Sequence, residues 1–526
     1  MRALPRWAAA LAAVVGLAAA LPMPTQATAA SPAAAVQVTT APACAKPLHP
    51  GGPVCYSLVR TDIHALRANA ISPDQAPSGY GPADLQSAYN LASAAASDGG
   101  GATVAVVENA DNPDLEANLG TYRSQYGLSA CTTGNGCFRK VNQSGQQSNY
   151  PPGDTGWGTE ASLDIDMVSA ICPKCHILVV EAGDLGAAQN TAVSLGANFI
   201  SNSWGTGDNA GDSGIDGDFN HAGVVDVASS GDSGYGVSYP ASSRYVVAAG
   251  GTSLSRDSSA RGWSEATWSG SGAGCSSWSA KPSWQADTGC GTRTVADVSA
   301  VADPGTGVAV YDTYGAGGWF VVGGTSASAP IIASVYALAG APASNAASVL
   351  YAHRSGLNDV TSGSDGSCNP SYLCTATSGY DGPTGLGTPN GISAFTGGGG
   401  SVGAVRSGVA GKCLDDFAGS SANGAKADLY DCNGTAAQQW AVNGSTLQIN
   451  GKCLDATAQG TANGTLVELW DCNGGGNQVW QKGANNTLVN PASGRCLDDP
   501  GFATANGTQL DLWDCNNGTN QQWTQS

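Results

Sequence analysis

Histidine and basic side chains are scarce in this 526-residue chain, and it has few long apolar runs. The charge balance and the apolar runs each exclude a class of function. Five histidines are present, and 21 Lys and Arg residues stand against 40 Asp and Glu, for a net charge of −19. So acidic a surface repels a phosphate backbone, which excludes an electrostatic nucleic-acid binder. Beyond Leu21 there is no run of about 20 apolar residues, so no transmembrane helix and no membrane partner are expected.

The N-terminus has the organisation of a secretory signal peptide. Two arginines precede an apolar stretch over residues 7–21, and small residues up to Ala30 supply an A-x-A-like cleavage site. We therefore expect residues 1–30 to be a signal peptide and the protein to be secreted and extracellular. Residues 31–79 form a short N-terminal segment.

Sixteen cysteines, mostly in close pairs, suit an oxidising compartment. Proximity predicts three pairs in the C-terminal region and, before it, Cys44–Cys55, Cys131–Cys137, Cys172–Cys175, Cys275–Cys290 and Cys368–Cys374. The segment Cys172-Pro-Lys-Cys175-His176 also matches the pattern for covalent haem attachment. Because His176 begins an apolar strand-like run, a short disulfide is the preferred interpretation.

A candidate nucleophile lies in residues 323–330, which read Gly-Gly-Thr-Ser-Ala-Ser-Ala-Pro. Ser326 follows a glycine turn and opens an apolar run at helical spacing. A helix N-terminus carries unpaired N–H groups and a dipole that favours developing negative charge. The alternative is an ordinary N-cap serine.

A serine hydroxyl needs an adjacent base, and here carboxylates are the candidates. Glu160 and Asp164 lie about 40° apart on one helix face, whereas Asp166 points about 120° away from Glu160. The alternative is a solvated acidic patch. None of the histidines has the surroundings of a subtilisin-type catalytic histidine; they are His49, His64, His176, His221 and His353.

A third element is the turn Ser229-Ser-Gly-Asp232-Ser-Gly234 after an apolar strand. The carboxyl ends of strands are where open α/β sheets place functional groups, although Asp232 also suits plain turn chemistry.

In this order, the three motifs resemble the sedolisin family of serine-carboxyl peptidases, over roughly residues 80–395. The resemblance implies that Ser326 attacks the peptide carbonyl and that Glu160 is the general base. Asp164 would orient Glu160 and share its proton, and a protonated Asp232 would donate to the oxyanion, so activity is expected in acid.

The chain departs from the family pattern at two places. Gly323 stands where the family motif begins with serine. Sedolisins generally carry a folded propeptide, whereas residues 31–79 are too few for an independent domain without staples.

From residue 103 to about 340, apolar strand-like runs alternate with helical patterns, which predicts an α/β fold with a parallel sheet and helices on both faces. The resemblance implies the subtilisin-like topology. The predicted strands are 103–107, 177–180, 199–201, 224–228 and 245–249. The predicted helices are 114–126, 160–171 and 185–195.

A Gly/Asp-rich loop between residues 358 and 389 supplies the oxygen ligands that calcium prefers. The family resemblance implies a calcium site at Asp359, Val360, Thr377, Gly379 and Asp381, through two carboxylates and three backbone carbonyls. The alternative is a turn cluster without metal.

A Gly-rich linker at residues 396–401 leads into three repeats of about 40 residues. They begin Gly-Lys/Arg-Cys-Leu-Asp and end in Gln-x-Trp, and they resemble the ricin-B-type β-trefoil lectins over residues 402–526. The resemblance implies an all-β, carbohydrate-binding domain with Trp440, Trp480 and Trp523 in its core.

The resemblance also implies sugar sites built from an aspartate, an aromatic platform and an Asn-Gln pair. The second repeat supplies Asp455, Trp470, Asn477 and Gln478, and the third supplies Asp498, Trp513, Asn520 and Gln521. The first has Asp415, Tyr430 and Gln438 but Ala437 in place of asparagine, and ranks below the others. A trefoil that has lost sugar binding is the alternative.

The sequence therefore predicts a secreted acid endopeptidase acting on proteins or peptides, carrying a module for a polysaccharide or galactose-type glycan. Two alternatives remain: a catalytically inactive carbohydrate-binding protein, and a subtilisin-type enzyme in which His221 serves Ser326.

Overall fold

The computed structural model describes residues 38–44, 47–48, 52–63, 77–340, 345–396, 403–443, 446–450, 452–473 and 475–525. The predicted signal peptide and most of the predicted linker lie outside the described residues. No helix within those ranges is long and apolar enough to cross a bilayer.

Residues 38–396 form a mixed α/β region whose strands are mostly short. Its helices are α1 (Pro82–Ala88), α2 (Ala92–Ser97), α3 (Leu115–Gln125), α4 (Thr155–Ile171), α5 (Leu185–Ser194), α6 (Thr325–Ala339) and α7 (Ala346–Ala352). Its strands are β1 (Thr40–Pro42), β2 (Val54–Cys55), β3 (Leu58–Arg60), β4 (Thr103–Glu108), β5 (Phe138–Asn142), β6 (His176–Glu181), β7 (Phe199–Asn202), β8 (Trp204–Gly207), β9 (Val225–Ser229), β10 (Ser238–Tyr239), β11 (Val247–Arg256), β12 (Trp263–Thr267), β13 (Gly274–Ala280), β14 (Thr292–Val295), β15 (Val298–Val301), β16 (Val308–Asp312), β17 (Gly318–Gly323), β18 (Leu357–Asn358) and β19 (Thr388–Pro389).

The central sheet has the order β12-β11-β9-β7-β4-β6-β5, with β15 beside β11. All its pairs are parallel except the β11–β12 hairpin. Helices α3, α4 and α6 contribute to the apolar cluster on one face and α5 to that on the other. This confirms the predicted parallel sheet with helices on both faces, the arrangement in which strands are buried on both sides.

Two boundaries differ from the sequence prediction by more than two residues, the start of α4 and the end of β11. Helix α4 begins at Thr155 because the Asp154 side chain accepts from the N–H groups of Gly156 and Trp157, at 2.9 and 3.0 Å. Strand β11 runs to Arg256 because it pairs with β12, although its glycines interrupt the apolar run that the prediction relied on.

The C-terminal region is an antiparallel all-β domain. Its strands are β20 (Val405–Ser407), β21 (Lys412–Asp416), β22 (Ala425–Asp431), β23 (Ala441–Asn443), β24 (Thr446–Ile449), β25 (Lys452–Ala456), β26 (Thr465–Asp471), β27 (Gln481–Lys482), β28 (Leu488–Asn490), β29 (Arg495–Asp498), β30 (Thr508–Gln509), β31 (Asp511–Trp513) and β32 (Trp523–Gln525). The indoles of Trp440, Trp480 and Trp523 are buried, and each donates to the carbonyl of the leucine in its own Cys-Leu-Asp motif. Their predicted place in the core is confirmed.

The predicted disulfides are confirmed. Within the α/β region the pairs are Cys44–Cys55, Cys131–Cys137, Cys172–Cys175, Cys275–Cys290 and Cys368–Cys374, and in the trefoil they are Cys413–Cys432, Cys453–Cys472 and Cys496–Cys515. The bond between Cys172 and Cys175 leaves no thiol there for haem attachment.

Candidate active site and carbohydrate sites

Helix α4 carries two carboxyls into the interior. Every residue from Trp157 to Ile171 is buried, so the helix is enclosed on all sides, and Glu160 and Asp164 have no exposed surface. Asp164 accepts from the Ser203 hydroxyl, whose Oγ lies 2.8 Å from both carboxyl oxygens. Ser201 Oγ lies 3.4 Å from Asp164 Oδ2. Neighbouring hydroxyls therefore hold Asp164 in a fixed orientation.

Ser326 lies in the first turn of α6, as its glycine turn and apolar run predict. Gly324, two residues before Ser326, has a φ of +95°, a conformation that favours glycine. The Ser326 hydroxyl donates to the Ser203 carbonyl at 3.0 Å, and its backbone N–H donates to the Tyr56 carbonyl at 3.0 Å. The side chain is fully buried.

Asp232 follows β9 and reaches the same helix N-terminus. Its Oδ1 accepts from both the backbone N–H and the hydroxyl of Thr325, each at 2.8 Å. Its Oδ2 has no hydrogen-bond partner among the described residues. One carboxyl oxygen is therefore anchored beside Ser326, and the other is free to act on a bound group.

Burial raises the pKa of each of these carboxyls. Desolvation, then the charge of Asp164, raises the pKa of Glu160 well above its usual range, and the Ser326 and Ser57 hydroxyls oppose this. Nevertheless, no described residue makes a hydrogen bond of acceptable geometry to either Glu160 oxygen. Desolvation also raises the pKa of Asp164 well above its usual range, against the Ser203 and Ser201 hydroxyls. Paired buried carboxyls avoid a double charge by holding a shared proton.

Asp232 has a smaller shift. Desolvation raises its pKa to about 7, and the two hydrogen bonds from Thr325 limit the rise. The group is therefore neutral in acid and ionises near neutral pH.

Sequence reasoning missed Glu108, a further carboxyl at this site. It ends β4, is fully buried, and neither of its oxygens has a hydrogen-bond partner in the described part of the chain. Desolvation, followed by the charges of Asp164 and Glu160, raises its pKa well above the usual range. Its position at the carboxyl end of an apolar parallel strand was an available signal.

Asp166 and His221 lie apart from this cluster. Asp166 is buried, but its Oδ2 accepts from the Tyr311 N–H at 3.0 Å, which places it on another face of α4. The His221 Nε2 lies 3.1 Å from Asn190 Oδ1, before β9, whereas Asp232 follows that strand. Five strand residues separate the two ends by roughly 16 Å, so no imidazole contact to Ser326 supports the histidine-dependent alternative.

The predicted calcium loop brings its two aspartates close together. Asp359 Oδ2 accepts from the Gly379 N–H at 3.0 Å, and Asp381 Oδ2 accepts from the Thr377 N–H at 3.1 Å. Desolvation raises the pKa of Asp381 to about 7, and the charge of Asp359 adds to the rise. No cluster of three or more His, Cys, Asp or Glu suited to a metal occurs among the described residues; the predicted set contains only two such side chains.

The second trefoil repeat forms a pocket of about 540 Å³. Asp455 lines it, and Asn477 Nδ2 and Gln478 Nε2 each donate to one oxygen of its carboxyl group at 2.8 Å. Trp470 borders the pocket and is 41% exposed, so its ring face is available for stacking. Gln478 is fully buried and can orient Asp455 but not touch a ligand.

In the third repeat Asn520 and Gln521 both donate to Asp498 Oδ1, at 2.8 and 2.7 Å, beside the exposed Trp513. In the first repeat only Gln438 donates to Asp415, at 2.9 Å. Tyr430 is exposed there, but Ala437 supplies no amide.

Known protein families match both the α/β region and the C-terminal region of this chain. A model of the Subtilase family matches residues 152–352, and a model of the ricin-type beta-trefoil lectin domain matches residues 401–523. Kumamolisin from Bacillus sp. (strain MN-32) is 32% identical over 366 residues, which cover 61% of this chain and 64% of kumamolisin. Sedolisin from Pseudomonas sp. (strain 101) is 34% identical over 174 residues, 29% of each chain.

A solved structure of Pseudomonas sedolisin, described as a serine-carboxyl proteinase complexed with two molecules of pseudo-iodotyrostatin, matches the fold. It covers 60% of this chain and 96% of its own, with 27% identity and a TM-score of 0.50. The α/β region therefore has a subtilisin-like fold similar to that of this serine-carboxyl proteinase. The chain is similar to kumamolisin and sedolisin, and its C-terminal region matches the ricin-type beta-trefoil lectin domain. It spans under two thirds of the length of these curated relatives.

Proposed function

We propose that this chain is an extracellular endopeptidase that hydrolyses protein substrates in acid and is directed to glycans by its lectin domain. The observation that carries the proposal is the surroundings of Ser326: carboxyls from α4 and from the turn after β9 approach it, and no imidazole does so among the described residues. The eight disulfides fit an extracellular location.

In this mechanism Ser326 Oγ attacks the substrate carbonyl while Glu160 accepts the hydroxyl proton. The hydroxyl first exchanges its bond to the Ser203 carbonyl for one to Glu160. Asp164, held by Ser203, orients Glu160 and shares a proton with it. The oxyanion receives hydrogen bonds from the Ser326 N–H and from protonated Asp232.

Acid activity follows from Asp232. A carboxylate repels an oxyanion, so Oδ2 is a donor only while it carries a proton. With a pKa raised to about 7, that condition holds below neutral pH.

Casein digestion by the full chain between pH 3 and pH 9 tests this function. We expect a maximum below about pH 6, and losses of at least about 100-fold for Ser326→Ala and Glu160→Gln. His221→Ala is the matched control and should behave as wild type. An inactive His221→Ala beside a fully active Glu160→Gln would contradict the carboxyl mechanism.

Calcium is proposed as a structural ligand of the loop containing Asp359 and Asp381. The two carboxylates lie close enough to repel each other. The carbonyls of Val360, Thr377 and Gly379 lie on the same loop, so all the available donors are oxygen atoms, which suit a hard cation. The ion would neutralise the like charges and brace the loop.

Thermal unfolding with and without a chelator tests the calcium proposal. Chelation should lower Tm, because a ligand bound only by the native state stabilises it. Asp381→Ala should abolish that difference, while Asp257→Ala, in an exposed turn, should preserve it. Identical melting of wild type in both conditions would contradict the site.

A further inference from the structure

A second carboxyl lies opposite the sugar-site aspartate in each repeat of the trefoil. The opposed pairs are Asp415 with Asp428, Asp455 with Glu468 and Asp498 with Asp511. Side chains directly opposite in an antiparallel ladder share one face of the sheet, with Cβ atoms about 5 Å apart, and like charges there are destabilising. All three repeats keep this unfavourable pairing, which favours a role in binding over a role in folding.

In the first repeat the chain supplies its own counter-charge. Lys426 Nζ lies 3.8 Å from Asp428 Oδ2 and 4.0 Å from the centroid of the Phe417 ring. It also donates to the Gly507 carbonyl at 2.9 Å. An ammonium group therefore already lies beside this carboxyl pair and over an aromatic ring, and both features stabilise a bound cation.

The second and third repeats lack this cation. The residues in the position of Lys426 are Leu466 and Gln509. Lys426 is opposite Glu468 in the ladder between β22 and β26, but its ammonium group forms its ion pair within the first repeat. Across the described ranges of the trefoil, neither Glu468 nor Asp511 takes part in an ion pair.

The opposed carboxyls of these two repeats repel each other. Desolvation, then the charge of Asp455, raises the pKa of Glu468, and the Thr457 hydroxyl opposes the rise. Desolvation raises the pKa of Asp511 to about 7, and the charge of Asp498 adds to the rise. Asp511 is 6% exposed, and its Oδ1 is buried with no hydrogen-bond partner in the described part of the chain. A cation beside each pair would relieve the repulsion.

The second carboxyl is within reach of a bound sugar. Glu468 lines the pocket of about 540 Å³ together with Asp455 and Trp470. The exposed rings of Trp470 and Trp513 can attract a cation as well as the C–H surface of a sugar. An ammonium group brings three donors and no acceptor, so it suits a pair of carboxylates better than a hydroxyl does.

We propose that the pockets of the second and third repeats bind an amino sugar whose amine is free and protonated, as in a deacetylated polysaccharide. The ammonium group lies beside the opposed carboxyls, at Glu468 in one pocket and at Asp511 in the other, while the sugar ring stacks on the neighbouring tryptophan. The first repeat has no such preference, because Lys426 supplies the positive charge there. The inference rests on the proposed direction of the enzyme to glycans, and it specifies the chemical class of the glycan.

The test is isothermal titration calorimetry of the full chain at about pH 6, where the amine is protonated. The ligands are galactosamine, galactose and N-acetylgalactosamine, which differ only in the group on one ring carbon, and the three corresponding sugars of the glucose series. The amino sugar should bind about 5- to 15-fold more tightly than its hydroxyl and acetamide counterparts, because a hydrogen bond to a charged group is stronger than one between neutral groups. Butylamine has an ammonium group but no ring or hydroxyls, so it should compete far less well.

Two double variants test the assigned residues. Glu468→Gln with Asp511→Asn removes the second charge and keeps the side-chain size. It should abolish the preference for the amino sugar and leave the affinity for the neutral sugar within about 2-fold of wild type. Leu466→Lys with Gln509→Lys copies the lysine of the first repeat and should also abolish the preference. Asp428→Asn is the matched control in the first repeat and should preserve it. Thermal unfolding checks that each variant is folded.

Equal affinity for the amino and neutral sugars overturns this inference and leaves the proposed direction to glycans intact. A preference that survives Glu468→Gln with Asp511→Asn overturns it as well. Butylamine that competes as strongly as the amino sugar would also overturn it, because the site would then recognise any ammonium group. Absence of binding to every sugar overturns the proposed direction to glycans, and this inference with it.

Discussion

Replacing Asp232 by asparagine removes the titration of this one residue and leaves the other titrating carboxyls of the site in place. Asparagine keeps an oxygen to accept from Thr325 and places an amide where Oδ2 lies, so it donates to an oxyanion at all pH values. Alanine removes both functions. We therefore expect Asp232→Ala to lose about 100- to 1000-fold in kcat, and Asp232→Asn to lose far less at pH 4.

The magnitude of the pH effect follows from the pKa of Asp232, which burial raises to about 7. At one pH unit above the pKa, about a tenth of the wild-type molecules retain the proton. The ratio of Asp232→Asn activity to wild-type activity should be constant below about pH 6 and about tenfold higher at pH 8. Titration of Glu160 and Asp164 affects both enzymes and therefore contributes little to this ratio, since the charge of Asp232 is the smallest of the causes that shift the pKa of Glu160.

The assay is initial-rate cleavage of one soluble peptide by both enzymes between pH 4 and pH 8. A ratio that stays flat over this range would refute the assignment of Asp232 as a titrating donor. An asparagine variant as inactive as alanine at pH 4 would show that a neutral donor at this position is not what the reaction needs.

Three further outcomes are expected. Because its native pKa is raised from 3.8 to about 7, the contribution of Asp232 to stability is fully present below about pH 4 and is lost as pH rises through 7. The free energy of unfolding should fall by about 1–2 kcal/mol from this partly exposed group between pH 4 and pH 8. Calorimetry should accordingly show a falling Tm, and a rising Tm would contradict this. Gly323→Ser, which restores the family residue, should destabilise by about 1–3 kcal/mol, because a Cβ there lies 2.4 Å from the Ala302 carbonyl oxygen; unchanged thermal unfolding would contradict this. Asp455→Ala with Asp498→Ala should abolish retention on an insoluble polysaccharide or galactose matrix while leaving the fold intact, and unaltered retention would contradict the sugar sites.

Much of this protein could be predicted from local pattern. Glu160 and Asp164 share a helix face because they are four residues apart, and that relation needs no tertiary information. Close cysteine spacing predicted the disulfides, and the three repeats predicted the trefoil and its buried Trp440. In each case the decisive relation joins residues near in sequence or identical between repeats.

Local pattern predicted the start of α4 poorly, because glycines in its first turn are required by close packing against distant segments. Gly156 and Gly158 weakened the signal for the first turn of α4, yet both are required by neighbours distant in sequence. A Cβ on Gly156 would lie 2.4 Å from the Ala43 carbonyl oxygen, and one on Gly158 would lie 2.7 Å from the Tyr314 ring. Close approach between distant segments has no local signature.

The tertiary structure alone decided which groups meet at Ser326. Glu108 comes from another strand, Ser203 follows a third, and Tyr56 enters from the N-terminal segment, far from Ser326 in sequence. Ser203 and Tyr56 are polar or aromatic as many surface residues are, so local pattern did not single them out. Glu108 had one signal, its place at the carboxyl end of an apolar strand. The sequence by itself determined which reactive side chains this protein has. The packing of the parallel sheet determined which of them meet at the site, because the ends of separate strands come together at one edge and bring together residues that are far apart in sequence.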